Sequence, residues 1–228
     1  VLERGASASL FLLIVNLFCA IIAVTFVNTL KLLRMFSVSD IKRVMRAKGY
    51  QFFDSGLYNL NLIGVRTIGK VDIFDDELYA IYKNDIGEEA CLTIPITTDP
   101  GVKYLNDPIN EHGTAILVPG QYIKMWKIGL HRGKYEALVQ NRPVRVYRDN
   151  DRDSEFDLDP KTIEEGNFGI NLHHAAEFSI SDYVGPHSAG CQVVKVIEDY
   201  RKLKNLWRRA ASQWGDEFTY TLLVKEDF

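Results

Sequence analysis

The chain is poor in cysteine. Cys19, Cys91 and Cys191 are the only three in 228 residues, and no CxxC occurs. A disulfide framework and a zinc ribbon are thereby excluded. The five histidines, His112, His131, His173, His174 and His187, include no HExxH or comparable spacing, so catalytic zinc has no basis in the pattern. No Gly-rich phosphate loop is present, and no nucleotide or organic cofactor is implied. Excess positive charge is missing too. The net charge is −3, with Lys and Arg interleaved among Asp and Glu, which argues against nucleic acid as a partner. Internal repeats and low-complexity linkers are absent.

Hydrophobic residues make up 46% and charged residues 25%, the balance of a globular domain. The length allows one domain of about 150–200 residues plus an appendage. The long apolar run is confined to the N-terminus. From Ser9 to Val27 no residue is charged, and only Ser9, Asn16 and Thr25 are polar. That suits a membrane-spanning helix, and no compact small-x-small site closes it as a cleaved signal peptide requires. The basic residues after it (Lys31, Arg34, Lys42, Arg43, Arg46, Lys48) would leave the large domain in the cytoplasm by the positive-inside rule. A second reading stands beside this one. Val1 is not a methionine, and Met35 opens a segment that makes a natural start. Residues 1–34 are thus a membrane anchor or a spurious extension, and residues 35–228 one β-rich domain of catalytic type.

Ser39 or Asp40 is expected to cap a short helix running to about Lys48, with Gly49 ending it. Period-two alternation predicts a strand over Tyr58–Arg66. Further strands are expected at Asp76–Tyr82, Ala90–Thr97, Tyr122–Leu130, Tyr135–Gln140 and Val144–Arg148. An amphipathic helix over Ile197–Gln213 and a last strand over Phe218–Val224 close the chain. Many short strands with dense turn signals predict a mostly β fold, a sandwich or barrel with one or two peripheral helices. Cys91, inside the apolar run Ala90–Pro95, is expected to be buried and inert.

Chemistry concentrates late in the chain. The run Gly169-Ile170-Asn171-Leu172-His173-His174 is followed by Ser188-Ala189-Gly190-Cys191. An imidazole ends an apolar strand, and a thiol follows a turn of small residues, the layout of a nucleophile and its base. Small residues allow a tight turn whose N–H groups can face a developing oxyanion. Parity puts Phe168, Ile170, Leu172 and His174 on one strand face, and Asn171 with His173 on the other. If the apolar face is the core, His173 rather than His174 is the base, and Asn171 orients it or the substrate.

These residues carry a family resemblance. Phe168-Gly169-Ile170-Asn171-Leu172-His173, then Val184-Gly185, then Ser188-Ala189-Gly190-Cys191 are similar to the catalytic core of the L,D-transpeptidases, the YkuD-like cysteine enzymes. The resemblance covers about Phe168–Leu203. It implies a mostly β domain that cleaves and rejoins peptidoglycan stem peptides. Cys191 would attack the carbonyl of the diamino acid residue and release the terminal D-alanine, with His173 as base. Ser188 to Gly190 would shape the oxyanion turn. The acyl-enzyme would pass to an amine, giving a crosslink, or to water, giving carboxypeptidase activity. The family carries an Arg two residues after the nucleophile where this chain has Gln192-Val193, which implies altered substrate or lost activity. Gln192 and Asn171 are candidate substrate contacts. Arg132, in His131-Arg132-Gly133-Lys134, is read as a hairpin tip, or else as a replacement for the missing charge. The resemblance places the protein at the cell envelope, or in a bacteriophage particle if the chain begins at Met35. Two other readings remain: a catalytically silent wall-binding or phage structural protein, and a cysteine peptidase acting on other peptides.

The segment from Asp149 to Pro160 puts Asp149, Asp151, Asp153 and Asp157 at positions 1, 3, 5 and 9. That spacing resembles a calcium-binding loop, with Ser154 where Gly is expected and Pro160 where Glu is expected. Structural calcium and a solvated acidic turn balanced by Arg148 and Arg152 both fit the pattern.

Overall fold

The computed structural model describes residues 36–228. The apolar run 9–27, Cys19 and Met35 lie outside the described residues. Among the described residues no helix is long and apolar enough to cross a membrane.

In chain order the elements are α1 (Val38–Ala47), β1 (Asn61–Arg66), β2 (Asp76–Lys83), β3 (Glu89–Thr97), α2 (Val102–Asn106), β4 (Thr114–Leu117), β5 (Gly120–His131), β6 (Tyr135–Gln140), β7 (Val144–Asp149), β8 (Glu164–Gly166), β9 (Leu172–His174), β10 (Gln192–Val194), α3 (Ile197–Trp214) and β11 (Glu217–Val224). The mostly β expectation holds, with three helices among the described residues rather than one or two. α1 begins earlier than expected. Asp40 N–H donates to Ser37 Oγ (3.2 Å) and Ser37 N–H donates to Asp40 Oδ2 (3.1 Å). The reciprocal pair makes Ser37 the cap, because a capping box needs its acid three residues on.

Eight strands close into a barrel in the order β1-β11-β5-β6-β9-β10-β3-β2. Closure leaves no unpaired edge strand in this sheet. β1 with β11 and β9 with β10 run parallel; the other neighbours are antiparallel. A second sheet, β4-β7-β8, contributes Ala115, Leu117, Val144 and Val146 to the same buried cluster as barrel residues such as Leu78, Ile94, Trp126 and Leu172. α3 buries Tyr200, Leu203, Leu206, Trp207 and Ala210, a stripe at helical spacing, and it packs on β9 and β10. Its first turn carries Glu198 and Asp199, favourable at the positive end of a helix.

Cys91 corrects an expectation, since it is exposed. In β3 the residues turned inward are Ile94 and Ile96, both 0% exposed. Cys91 has the opposite parity and stands on the outer surface of the sheet. An apolar run is therefore buried here on one side only.

Candidate active site

β9 and β10 lie side by side in parallel register, Gln192 opposite Leu172 and Val193 opposite His173. Gln192 N–H donates to Asn171 O (2.8 Å), which carries the register back one residue and sets Cys191 beside Asn171. His173 is then the next residue of like parity on the neighbouring strand. Residues far apart in sequence become diagonal neighbours, within reach of long side chains.

The thiol is held by backbone. Cys191 Sγ accepts from Asn171 N–H at 3.5 Å and donates to Gly169 O at 3.3 Å. Burial raises its pKa, and the Asn171 N–H and the positive charge of Arg132 oppose that rise. At neutral pH Cys191 is a thiol.

The turn before it is stapled by Ser188, which is fully buried. Ser188 Oγ donates to Cys191 O (2.8 Å) and accepts from Gly190 N–H (3.1 Å). The N–H of Gly190 is thus committed within the turn. Gly190 has φ 115, and a Cβ there would run into the carbonyl of Ala115 on β4; only glycine fits. Further support comes from residues with no signal in the sequence pattern. Gly101 N–H donates to Ser188 O at 2.9 Å. Asp72 Oδ1 accepts from Gly185 N–H (2.6 Å) and Val102 N–H (3.1 Å).

His173 does not stand on an open face. It is 5% exposed, its ring stacked on His131 with centroids 4.0 Å apart. Burial first, and then the neighbouring His131, push it down to about 3. The ring is neutral and carries one proton. Nδ1 lies 2.8 Å from His174 O, so the proton sits on Nδ1 and the lone pair on Nε2. Tyr135 Oη lies 3.3 Å from the same Nδ1. His174 packs against Tyr135 and Tyr200.

His131, at the end of β5, was not singled out as a site residue in the sequence. Burial and the charge of Arg132 push it down to about 4. Its Nδ1 lies 3.1 Å from Asn171 Nδ2, while Asn171 Oδ1 accepts from Gln140 N–H at 2.8 Å. Asn171 is thereby a hub that ties β6, His131 and the thiol together. Alternation along β5 offered the only clue to His131, and its partner strand arrives forty residues later.

Arg132 is a hairpin tip with φ 49, and its charge also reaches His131, His173, Tyr135 and Cys191. Gln192 is placed elsewhere. It is fully buried; Nε2 donates to Thr98 O (3.3 Å) and Oε1 accepts from Tyr220 Oη–H (2.7 Å). These bonds join it to the interior network in which Arg66 pairs with Asp99 at 2.8 Å. Val193 is 0% exposed. His112 Nδ1 lies 2.9 Å from Glu164 Oε1.

A groove of about 280 Å³ adjoins the turn, lined among others by Asn110, Thr114, Arg148, Asn167, Phe168 and Ala189. Arg148 lies 4.6 Å over the Phe168 ring and pairs with Glu164 at 2.9 Å. The acidic loop follows β7 directly. Asp149 is 1% exposed, whereas Asp151, Asp153 and Asp157 are exposed. Burial and these three carboxylates raise the Asp149 pKa to about 6.

Comparison with protein-family models, curated proteins and solved structures finds no match.

Proposed function

We propose that this chain is a cysteine acyltransferase of the L,D-transpeptidase type, acting on peptidoglycan stem peptides. One observation carries the reading: a neutral His173 with Nδ1–H held by the His174 carbonyl, on the strand beside Cys191. The oriented imidazole leaves Nε2 to take a proton. The resting pair is thiol and imidazole, not an ion pair. As Sγ forms its bond to the substrate carbonyl carbon, the thiol proton passes to Nε2. The oxyanion is met by the Cys191 N–H, because Gly190 N–H is bound to Ser188 Oγ. Collapse of the intermediate breaks the C–N bond, and Nε2 returns the proton to the departing D-alanine amine. The thioester is then resolved by an acceptor amine or by water. The groove beside Ala189 and Phe168 is the place for the peptide, and the chemistry itself needs no cofactor.

This reading puts the protein to work at the cell wall, whether anchored through residues 9–27 or delivered by a phage particle. Incubating the chain with disaccharide-tetrapeptide and following products by mass spectrometry tests it. Loss of D-alanine or dimer formation is expected, absent in Cys191→Ala and reduced by about 10²–10⁴ in His173→Gln. Intact fragments with the wild type would sink the proposal.

The raised Cys191 thiol and the buried Val193 favour a second reading, a wall-binding protein without activity. Sedimentation with purified wall in the absence of turnover would support that reading instead.

A further inference from the structure

The geometry points to a calcium site in the loop Asp149–Asp157, built on the buried carboxylate of Asp149. Two independent observations meet there.

The first is an orphaned oxygen. Asp149 ends β7 and is 1% exposed. Its Oδ2 accepts from Asp157 N–H at 3.0 Å, so the carboxylate is turned into the loop. Its Oδ1 is buried and has no hydrogen-bond partner. A buried carboxylate oxygen without a donor or counter-charge is costly, and native proteins resolve such atoms with a partner or an ion.

The second is the order of the oxygens around it. Asp149, Asp151, Asp153, the Glu155 carbonyl and Asp157 occupy places 1, 3, 5, 7 and 9, the donor places of a calcium loop. Ser154 holds the sixth place with φ 69. The sharp turn that glycine makes in such loops is therefore made here by serine, and the missing glycine is no obstacle. Among the described residues no three acidic, His or Cys side chains already stand around one point. Asp151 Oδ1 accepts from Asp153 N–H (3.3 Å) and Asp153 Oδ1 accepts from Glu155 N–H (2.8 Å). Both residues are exposed, so rotation of their side chains towards the fixed Asp149 completes the shell. An oxygen-only donor set with backbone and water ligands suits calcium. Magnesium demands a near-ideal octahedron at shorter range. With Pro160 in the twelfth place there is no bidentate Glu, which puts the dissociation constant at roughly 10⁻⁴–10⁻³ M.

The loop is tied to one wall of the groove beside Ala189. Ser154 Oγ donates to Asn106 Oδ1 (2.7 Å), and Asn150 Nδ2 donates to Glu111 O (3.3 Å). Asn110, between those anchors, and Gly113, just beyond them, line the groove. The ion fixes that wall.

The test is calorimetric titration of the chelator-treated full chain with CaCl2, with MgCl2 in parallel. One saturable calcium site is expected, with a rise in Tm of roughly 3–8 °C at 10 mM CaCl2 and little response to MgCl2. Asp153→Ala, an exposed substitution that leaves the core intact, weakens calcium at least about tenfold with an unchanged circular dichroism spectrum. Asp149→Asn abolishes it. Absence of saturable heat and of a Tm shift in the wild type overturns the proposal. So does an Asp153→Ala titration that matches the wild type, or an equal response to magnesium.

Discussion

The ring of His131 lies flat against that of His173, centroids 4.0 Å apart and planes 24° apart. His173 is thereby covered on one side by a second, neutral imidazole. Replacing His131 by Ala opens that face. The His173 pKa then rises towards its ordinary value, and the pH–rate profile for release of D-alanine gains an acid limb near pH 6 with about a tenfold loss of kcat. His131→Phe keeps the stack and shows no such limb. Identical profiles for the two variants would remove His131 from the positioning role.

Burial holds His173 at about 3 and His131 at about 4. The unfolded chain accepts protons on these rings below pH 6.5, and the folded chain does not until far lower. The stability they contribute is complete above pH 6.5 and is lost as pH falls towards 3, by several kcal/mol at most. Nitrogen NMR of the imidazoles should show both neutral down to pH 5. His173→Phe should lose less Tm than the wild type between pH 7 and 4. A midpoint near 6.5 for either ring contradicts the burial argument.

The Cys191 thiol is raised by burial and drawn back by Arg132. Alkylation by iodoacetamide should rise through pH 9 without a plateau at neutral pH. Arg132 is exposed and screened, so Arg132→Ala slows the reaction by less than about tenfold at low salt, and the difference vanishes at 0.5 M NaCl. A thiol that reacts fully at pH 6 would mean a preformed ion pair.

Gly190→Ala should be among the most damaging single changes. It combines a φ of 115 with a collision on the Ala115 carbonyl, and strain of this kind costs about 1–3 kcal/mol before any clash is relieved. A Tm drop of several degrees, together with a loss of thiol reactivity, is the expected outcome. A variant with wild-type Tm would show that the turn has room.

Gln192→Leu separates the interior from the substrate. It leaves Thr98 O and the Tyr220 hydroxyl without their amide partner, for a loss of about 1–3 kcal/mol in denaturant titration. KM for the stem peptide should stay where it is. A raised KM at unchanged stability would return Gln192 to the substrate.

Much of the fold was legible locally. The strand over Tyr135–Gln140 matches β6 end to end, and β2, β3, β5, β7, β11 and α3 differ by a few residues at their ends. Alternation and helical spacing are properties of neighbouring residues, and the closed barrel preserves them. The short elements escaped. β4, β8, β10 and α2 are three to five residues long, too short for a period to register. Gly169 with φ 75 also breaks what alternation alone reads as one continuous strand up to His173, yet parity still separates His173 from His174.

The sequence by itself determined which segments carry Cys191 and His173, the small residues before the thiol, and the order of carboxylates in the acidic loop. Each depends on residue type and spacing within a single segment. Tertiary structure decided the rest: that His131 covers His173, that Asn171 joins three strands, that Gln192 turns inward and that Asp149 is left with a bare buried oxygen. Those facts arise where strands distant in sequence come to lie 5 Å apart, and pairing across a closed sheet is a property of the whole chain.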